Sequence, residues 1–294
     1  MHYFYTIDSN RIKLEWVPES NNIELLLQFK QALMLYLGKR KGSFTQMTAR
    51  SVAKSTNKPT KNAHRKHSVD DHSITRDSII STAFDLLREK GYAKASVSEL
   101  ARRIGMDPSS LYYYFPSKEA LLAEISNPKI EVPTMEELSS FTNSRTVQLY
   151  TLIMMDVVQK CELPLDFIDV ESAARKKPKS FKKFYEYYKT FYHTLLNVIE
   201  SGIEEGEFRP CAADERAVTI LSINEGLQHH FHAKQRGELL LTDSGYTAHN
   251  HSPEDIGHMS ALSVIPALIQ PEIDFDESAH EGRKTYARIV AQVG

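Results

Sequence analysis

Three groupings of side chains have the types and spacing to do chemistry. Glu225, His229 and His232 recur at i, i+4 and i+7, so one helix face would carry a carboxylate and two imidazoles able to ligate a metal. The same spacing describes a polar helix face with histidines on it. No second ligand cluster is assured, although His249, His251 and His258 are near in sequence, and no metal ligand is assigned. A second grouping is Ser109, Ser110, Tyr112, Tyr113 and Tyr114 followed by Lys118, hydroxyls and an ammonium suited to base edges and phosphates. The third is aromatic and sulfur-bearing: Tyr150, Met154, Phe167, Phe184, Tyr188 and Tyr192 suit an adaptable apolar ligand cavity, with Glu225 or Asp156 as polar anchor. An aromatic stripe at helical spacing also describes simple core. No nucleophile elbow, phosphate loop or dinucleotide fingerprint occurs, so no catalytic residue or cofactor is expected, and the chain is read as a non-enzyme.

The second grouping sits among elements that can position it. Ile79, Ile80, Ala83, Phe84 and Leu87 share one face of a first helix, and Gly91 follows its last turn. Ser96-Val-Ser-Glu99 opens a second helix as a capping box, and Gly105 ends it. Asp107-Pro108 supplies an N-cap and an N1 proline for a third helix, in which Leu111 and Phe115 face inward. Two short helices joined by a glycine-bearing turn and braced by a longer one make a helix-turn-helix, or else a small packing unit with an aromatic surface. In the first case Ser109, Ser110 and Tyr113 would read bases. Ser96, Arg102, Arg103, Asp107, Tyr112, Tyr114 and Lys118 complete the expected DNA face.

Residues 75–125 resemble the DNA-binding domain of the tetracycline-repressor (TetR/AcrR) family of bacterial transcription regulators. The likeness runs through Ala-Phe-Asp-Leu-Leu, the Gly-Tyr turn, Glu99-Leu100-Ala101, Gly105, Leu111-Tyr112, Tyr114-Phe115 and Ser117-Lys118-Glu119-Ala120-Leu121. It implies a homodimer whose third helices enter successive major grooves, with Tyr112 and Lys118 holding phosphates. It also implies a helical back half that binds a small-molecule effector and dimerises through residues 214–236 and 253–269, where Ala217, Ile220, Leu221, Leu227, Met259, Leu262 and Ile265 would contribute. Asp107 stands where that family often has Ser, and Tyr114 where His is frequent. Pro128 and Pro133 interrupt the fourth helix early, which leaves the route of coupling open.

Charge agrees with this division. Residues 1–127 hold 19 Lys/Arg and 13 Asp/Glu, whereas residues 128–294 hold 17 and 25, so a polyanion would meet the front half. Residues 47–72 read as a basic, unfolded arm, and 73–126 as the helix-turn-helix domain. Residues 127–294 read as a helical regulatory and dimerisation domain, with 144–160 central and buried. The apolar stretch within residues 1–46 reads either as a docking helix or, if translation starts at Met47, as an annotation artefact. Strand-like alternation is scarce, so the expected class is all-α. Without a membrane-length apolar run, a leader pattern or a cysteine framework, the protein is expected in the cytoplasm. The expected activity is ligand-released repression at a double-stranded DNA operator. The alternatives are a metal-dependent hydrolase on the Glu225/His229/His232 face and a non-specific nucleoid-type DNA binder.

Overall fold

The computed structural model describes residues 74–239 and 250–292, together with the backbone of 3–8 and 11–16. The basic arm and the apolar stretch at 22–37 lie outside the described residues. The chain divides into two units, 1–69 and 70–294. In the first, β1 (Tyr3–Asp8) pairs antiparallel with β2 (Arg11–Trp16) in the register Tyr3↔Trp16, Tyr5↔Leu14 and Ile7↔Ile12. The sequence reading did not anticipate this hairpin. Its aromatic and β-branched residues favour extended backbone over two short strands.

The second unit is helical. α1 (Arg76–Lys94) starts at Thr75, whose side chain accepts from the Ser78 N–H, and breaks at Gly91, which takes φ +71°. A side chain would be strained there, so the glycine punctuates the helix. α2 (Val97–Ile104) ends at Gly105 in the left-handed region, and Pro108 is the first residue of α3 (Pro108–Tyr114). α4 (Lys118–Ile125) is short, and the chain then runs irregularly through Pro128 and Pro133 to α5 (Met135–Phe141), opened by a Thr134/Glu137 capping box.

The back half is built around α6 (Arg145–Glu162), buried over nearly its whole length as its all-round apolar sequence requires. Around it stand α8 (Lys182–Glu204), α9 (Ala213–Gln235), α10 (Pro253–Val264) and α11 (Phe275–Ala291). α7 (Phe167–Lys176) and the 3-10 turn Pro178–Phe181 behave differently. Phe167, Val170, Ala173, Phe181 and Phe184 join the core formed by Ile79, Leu86, Leu100, Leu111, Phe115 and Leu122 of the first four helices. A segment far along the chain thus completes the core of the N-terminal domain.

Candidate nucleic-acid interface

Burial of Leu111 and Phe115, each at most 3% exposed, fixes the orientation of α3. Ser109 and Ser110 are exposed at its first turn, and Tyr112 and Tyr113 are 50% and 87% exposed. The first turn and outer face of α3 therefore present hydroxyl groups and two tyrosine rings to solvent. Asp107 occupies the N-cap position but makes no side-chain cap bond, so its carboxylate is also free of the helix end. Ser96 does cap α2, accepting from the Glu99 N–H at 3.2 Å. The reciprocal half of the expected capping box does not form, because the Glu99 carboxylate instead accepts from Lys90 at 2.6 Å and Arg103 at 3.3 Å.

The expected DNA face therefore separates into two sets. Ser96, Arg102, Asp107, Ser109, Ser110, Tyr112 and Tyr113 are exposed. Arg103, Tyr114 and Lys118 are engaged within the domain. Arg103 also pairs with Glu89 at 2.6 Å, and the Tyr114 hydroxyl donates to the Ile74 carbonyl at 3.4 Å. Lys118 donates to the carbonyls of Tyr92 and Ala95 and lies over the Tyr92 ring, and its desolvation lowers its pKa. Any phosphate contact by Arg103 or Lys118 must compete with these internal bonds.

The sequence matches the family described as "Bacterial regulatory proteins, tetR family" over residues 79–125. This helix-turn-helix segment belongs to the tetR family. Over 53 residues it is 43% identical to the HTH-type transcriptional regulator EthR of Mycolicibacterium smegmatis, covering 18% of this chain and 24% of that one. Over 49 residues it is 47% identical to the uncharacterized HTH-type transcriptional regulator YuxN of Bacillus subtilis, covering 17% of each. The match thus spans about a quarter or less of those relatives. Among solved structures, the TetR family transcriptional regulator PfmR from Thermus thermophilus is similar at a TM-score of 0.48 and 20% identity, over 65% of this chain and 99% of that one.

Behind the tetR-family domain lies a cavity of about 70 Å³, walled by Phe84 of α1, by Ile125–Lys129 and by residues of α6, α7 and α8. Of the expected ligand set, Phe167, Phe184 and Tyr188 line it. Glu225 stands one bond behind, accepting from the Tyr188 hydroxyl at 3.0 Å, and burial pushes that phenol well above its ordinary pKa. Tyr150, Met154 and Tyr192 are not part of the wall. The Tyr150 hydroxyl is held by Arg283 at 3.1 Å and His258 at 3.0 Å, Met154 packs on Gly257, and Tyr192 belongs to the back-half core. Helical spacing placed them on inward faces, but those faces meet other helices.

Asp156, offered by the sequence as a polar anchor, does line the wall, but its partner Lys160 was not anticipated. Lys160 and Asp156, 5% and 3% exposed, pair at 2.9 Å. Asn224 donates to the same carboxylate oxygen at 2.8 Å and accepts from Ser260, while the Lys160 ammonium lies 4.2 Å from the Phe167 ring centroid. The signal was an acid and a base at i, i+4 inside an apolar helix.

The possible metal face is dispersed by its own partners. Glu225 serves Tyr188, the His229 Nδ1 meets the Asp166 carboxylate, and the His232 Nε2 meets the Lys160 carbonyl at 3.2 Å. Among the described residues no group of three or more His, Cys, Asp or Glu is placed to hold a metal ion. The four core positions Ala217, Ile220, Leu221 and Ile265, expected at a dimer interface, are buried within a single chain, whereas Leu262 is 51% exposed and Leu227 and Met259 are half-buried. Among the described residues no helix is long and apolar enough to cross a membrane.

Proposed function

We propose that the chain is a dimeric, sequence-specific transcriptional repressor working in the cytoplasm, released from its operator by a small apolar or aromatic effector. The observation that carries this reading is the face of α3: a tetR-family helix-turn-helix whose small hydroxyls and two tyrosines point outward. Ser109, Ser110 and Tyr113 read bases, and Ser96, Arg102 and Tyr112 contact the backbone. Leu227, Met259 and Leu262 supply apolar surface for the second copy. The effector site is the cavity lined by Phe167, Phe184 and Tyr188. Its walls come from both the DNA-binding domain and the back half, so a ligand that widens it favours dimers whose reading helices are mis-spaced for successive grooves.

Fluorescence anisotropy tests this with labelled duplex from upstream of the chain's own gene against a shuffled duplex. A preference of about a hundredfold, equivalent to about 2.7 kcal/mol, is expected. Equal affinity for the natural and shuffled duplexes, repeated across fragments of the surrounding genome, would favour the nucleoid-type reading.

A further inference from the structure

The helix-turn-helix residues 74–125 hold seven Lys/Arg and seven Asp/Glu, so this domain carries no net charge. Much of its positive charge is also neutralised internally. Arg76 pairs with Glu124 at 2.7 Å, Lys90 with Glu99 and Arg103 with Glu89, while Lys118 serves two carbonyls. Duplex affinity rests largely on cations that displace condensed counterions, so a neutral domain needs a supplement.

Residues 175–183, Arg-Lys-Lys-Pro-Lys-Ser-Phe-Lys-Lys, carry six cations and no acid. They span the end of α7, the 3-10 turn and the start of α8. Burial ties them to the DNA-binding domain, since Phe181 is 1% exposed and sits in the core shared with Leu121 and Leu122. The five lysines of the run are all exposed. The run lies alongside α4. The Glu119 carboxyl, held low chiefly by its own backbone N–H, also feels Lys177, and Glu124, held low chiefly by Arg76, also feels Lys183. Both α7 and the 3-10 turn pack against α4, so Lys177, between them, stands beside the helix that follows α3. Other facing acids are Glu171, 3.9 Å from Arg175, and Glu186, 3.5 Å from Lys182. Lys176 and Lys179 make no ion pair among the described residues.

We propose that Lys176, Lys177 and Lys179 form a second phosphate-contacting surface, gripping the DNA backbone beside the stretch read by α3. The proposal rests on the DNA-binding reading above. Because Phe181 anchors the run in the domain's own core, these cations keep their position relative to α3, and their contribution is independent of base sequence.

The test compares the full chain with K176Q/K177Q/K179Q, titrated by anisotropy into natural and shuffled duplexes over a range of KCl concentrations. K189Q/K284Q/R288Q, which neutralises three exposed cations elsewhere, controls for net charge. The triple variant should bind both duplexes about tenfold more weakly near physiological salt, with the log–log salt slope reduced by about 2–3 at roughly 0.9 per phosphate contact. Its thermal midpoint should be unchanged. Wild-type binding with the same affinity and slope in the triple variant would overturn this inference and leave the DNA reading intact. An equal slope change in the control would also overturn it, as a general charge effect. No wild-type binding to any duplex would sink the DNA reading itself, and this inference with it.

Discussion

The Lys118 ammonium lies 4.0 Å above the Tyr92 ring and donates to the Ala95 carbonyl at 2.7 Å. It thereby closes the corner at which α1 ends, supplying a cation where helix carbonyls run out of partners. Burial there, followed by the charge of Glu119, pushes the Tyr92 phenol up to about 12. Lys118→Met should therefore act on stability, costing about 1–2 kcal/mol for the lost charged hydrogen bonds. Urea denaturation reads that loss. The salt slope of DNA binding should change by less than about one; a drop of a full unit at unchanged stability would return Lys118 to a phosphate role.

Tyr113 is the opposite case. At 87% exposure it supports nothing in the domain beyond an edge-on contact with Tyr114. Tyr113→Ala should leave the unfolding free energy within about 0.5 kcal/mol of wild type. Operator affinity should fall by about 1–3 kcal/mol, and discrimination should relax at one base position. A uniform loss across all sequences, measured by anisotropy on single-substituted duplexes, would assign the tyrosine to the backbone instead.

Local punctuation explains what was legible. Gly91 and Gly105 stop helices because each takes positive φ, Pro108 starts one, and the Leu111/Phe115 pair decides which way α3 faces. Each of those decisions is made within a few residues. The fate of the cations is not. Arg103 is claimed by Glu89, fourteen positions earlier, and Lys118 by Ala95, twenty-three positions earlier. Nor does periodicity say which neighbour a buried face meets, which is why Phe167 lines the cavity while Tyr150, on an equally apolar helix, is held by Arg283 and His258. The hairpin of residues 3–16 was legible in part, since Arg11-Ile-Lys-Leu-Glu-Trp16 alternates charged and apolar residues at every position, but the scarcity of such alternation elsewhere in the chain led to an all-helical reading.

The Asp156–Lys160 pair should be sensitive to removal of one partner. Both groups are nearly inaccessible, and the carboxylate oxygen that Lys160 uses also accepts from Asn224. Lys160→Met leaves a buried carboxylate with Asn224 as its remaining donor here and should destabilise by about 3–5 kcal/mol. D156N/K160M removes both charges and should recover part of that loss. Urea midpoints of the two variants decide it. A double variant no more stable than Lys160→Met would mean that the cost is packing of the lysine stem against Phe167 rather than an orphaned charge.

Stability should also fall in mild acid because of His232. The ring is 4% exposed, and its burial holds the pKa below the ordinary 6.5, against the opposing pull of its bond to the Lys160 carbonyl. His258 is shifted the same way, by burial and then by Arg283. For a histidine depressed in the native state, the unfolded chain binds more protons between the folded value and 6.5. The contribution is therefore complete above about pH 6.5 and is lost as the pH falls through that window. Unfolding free energies measured at about pH 7.5 and about pH 5.5 should drop for wild type and drop less for His232→Gln, whose amide can still donate to the Lys160 carbonyl. An equal drop in the two proteins would assign the acid sensitivity to His258 or to the carboxylates paired in the native state.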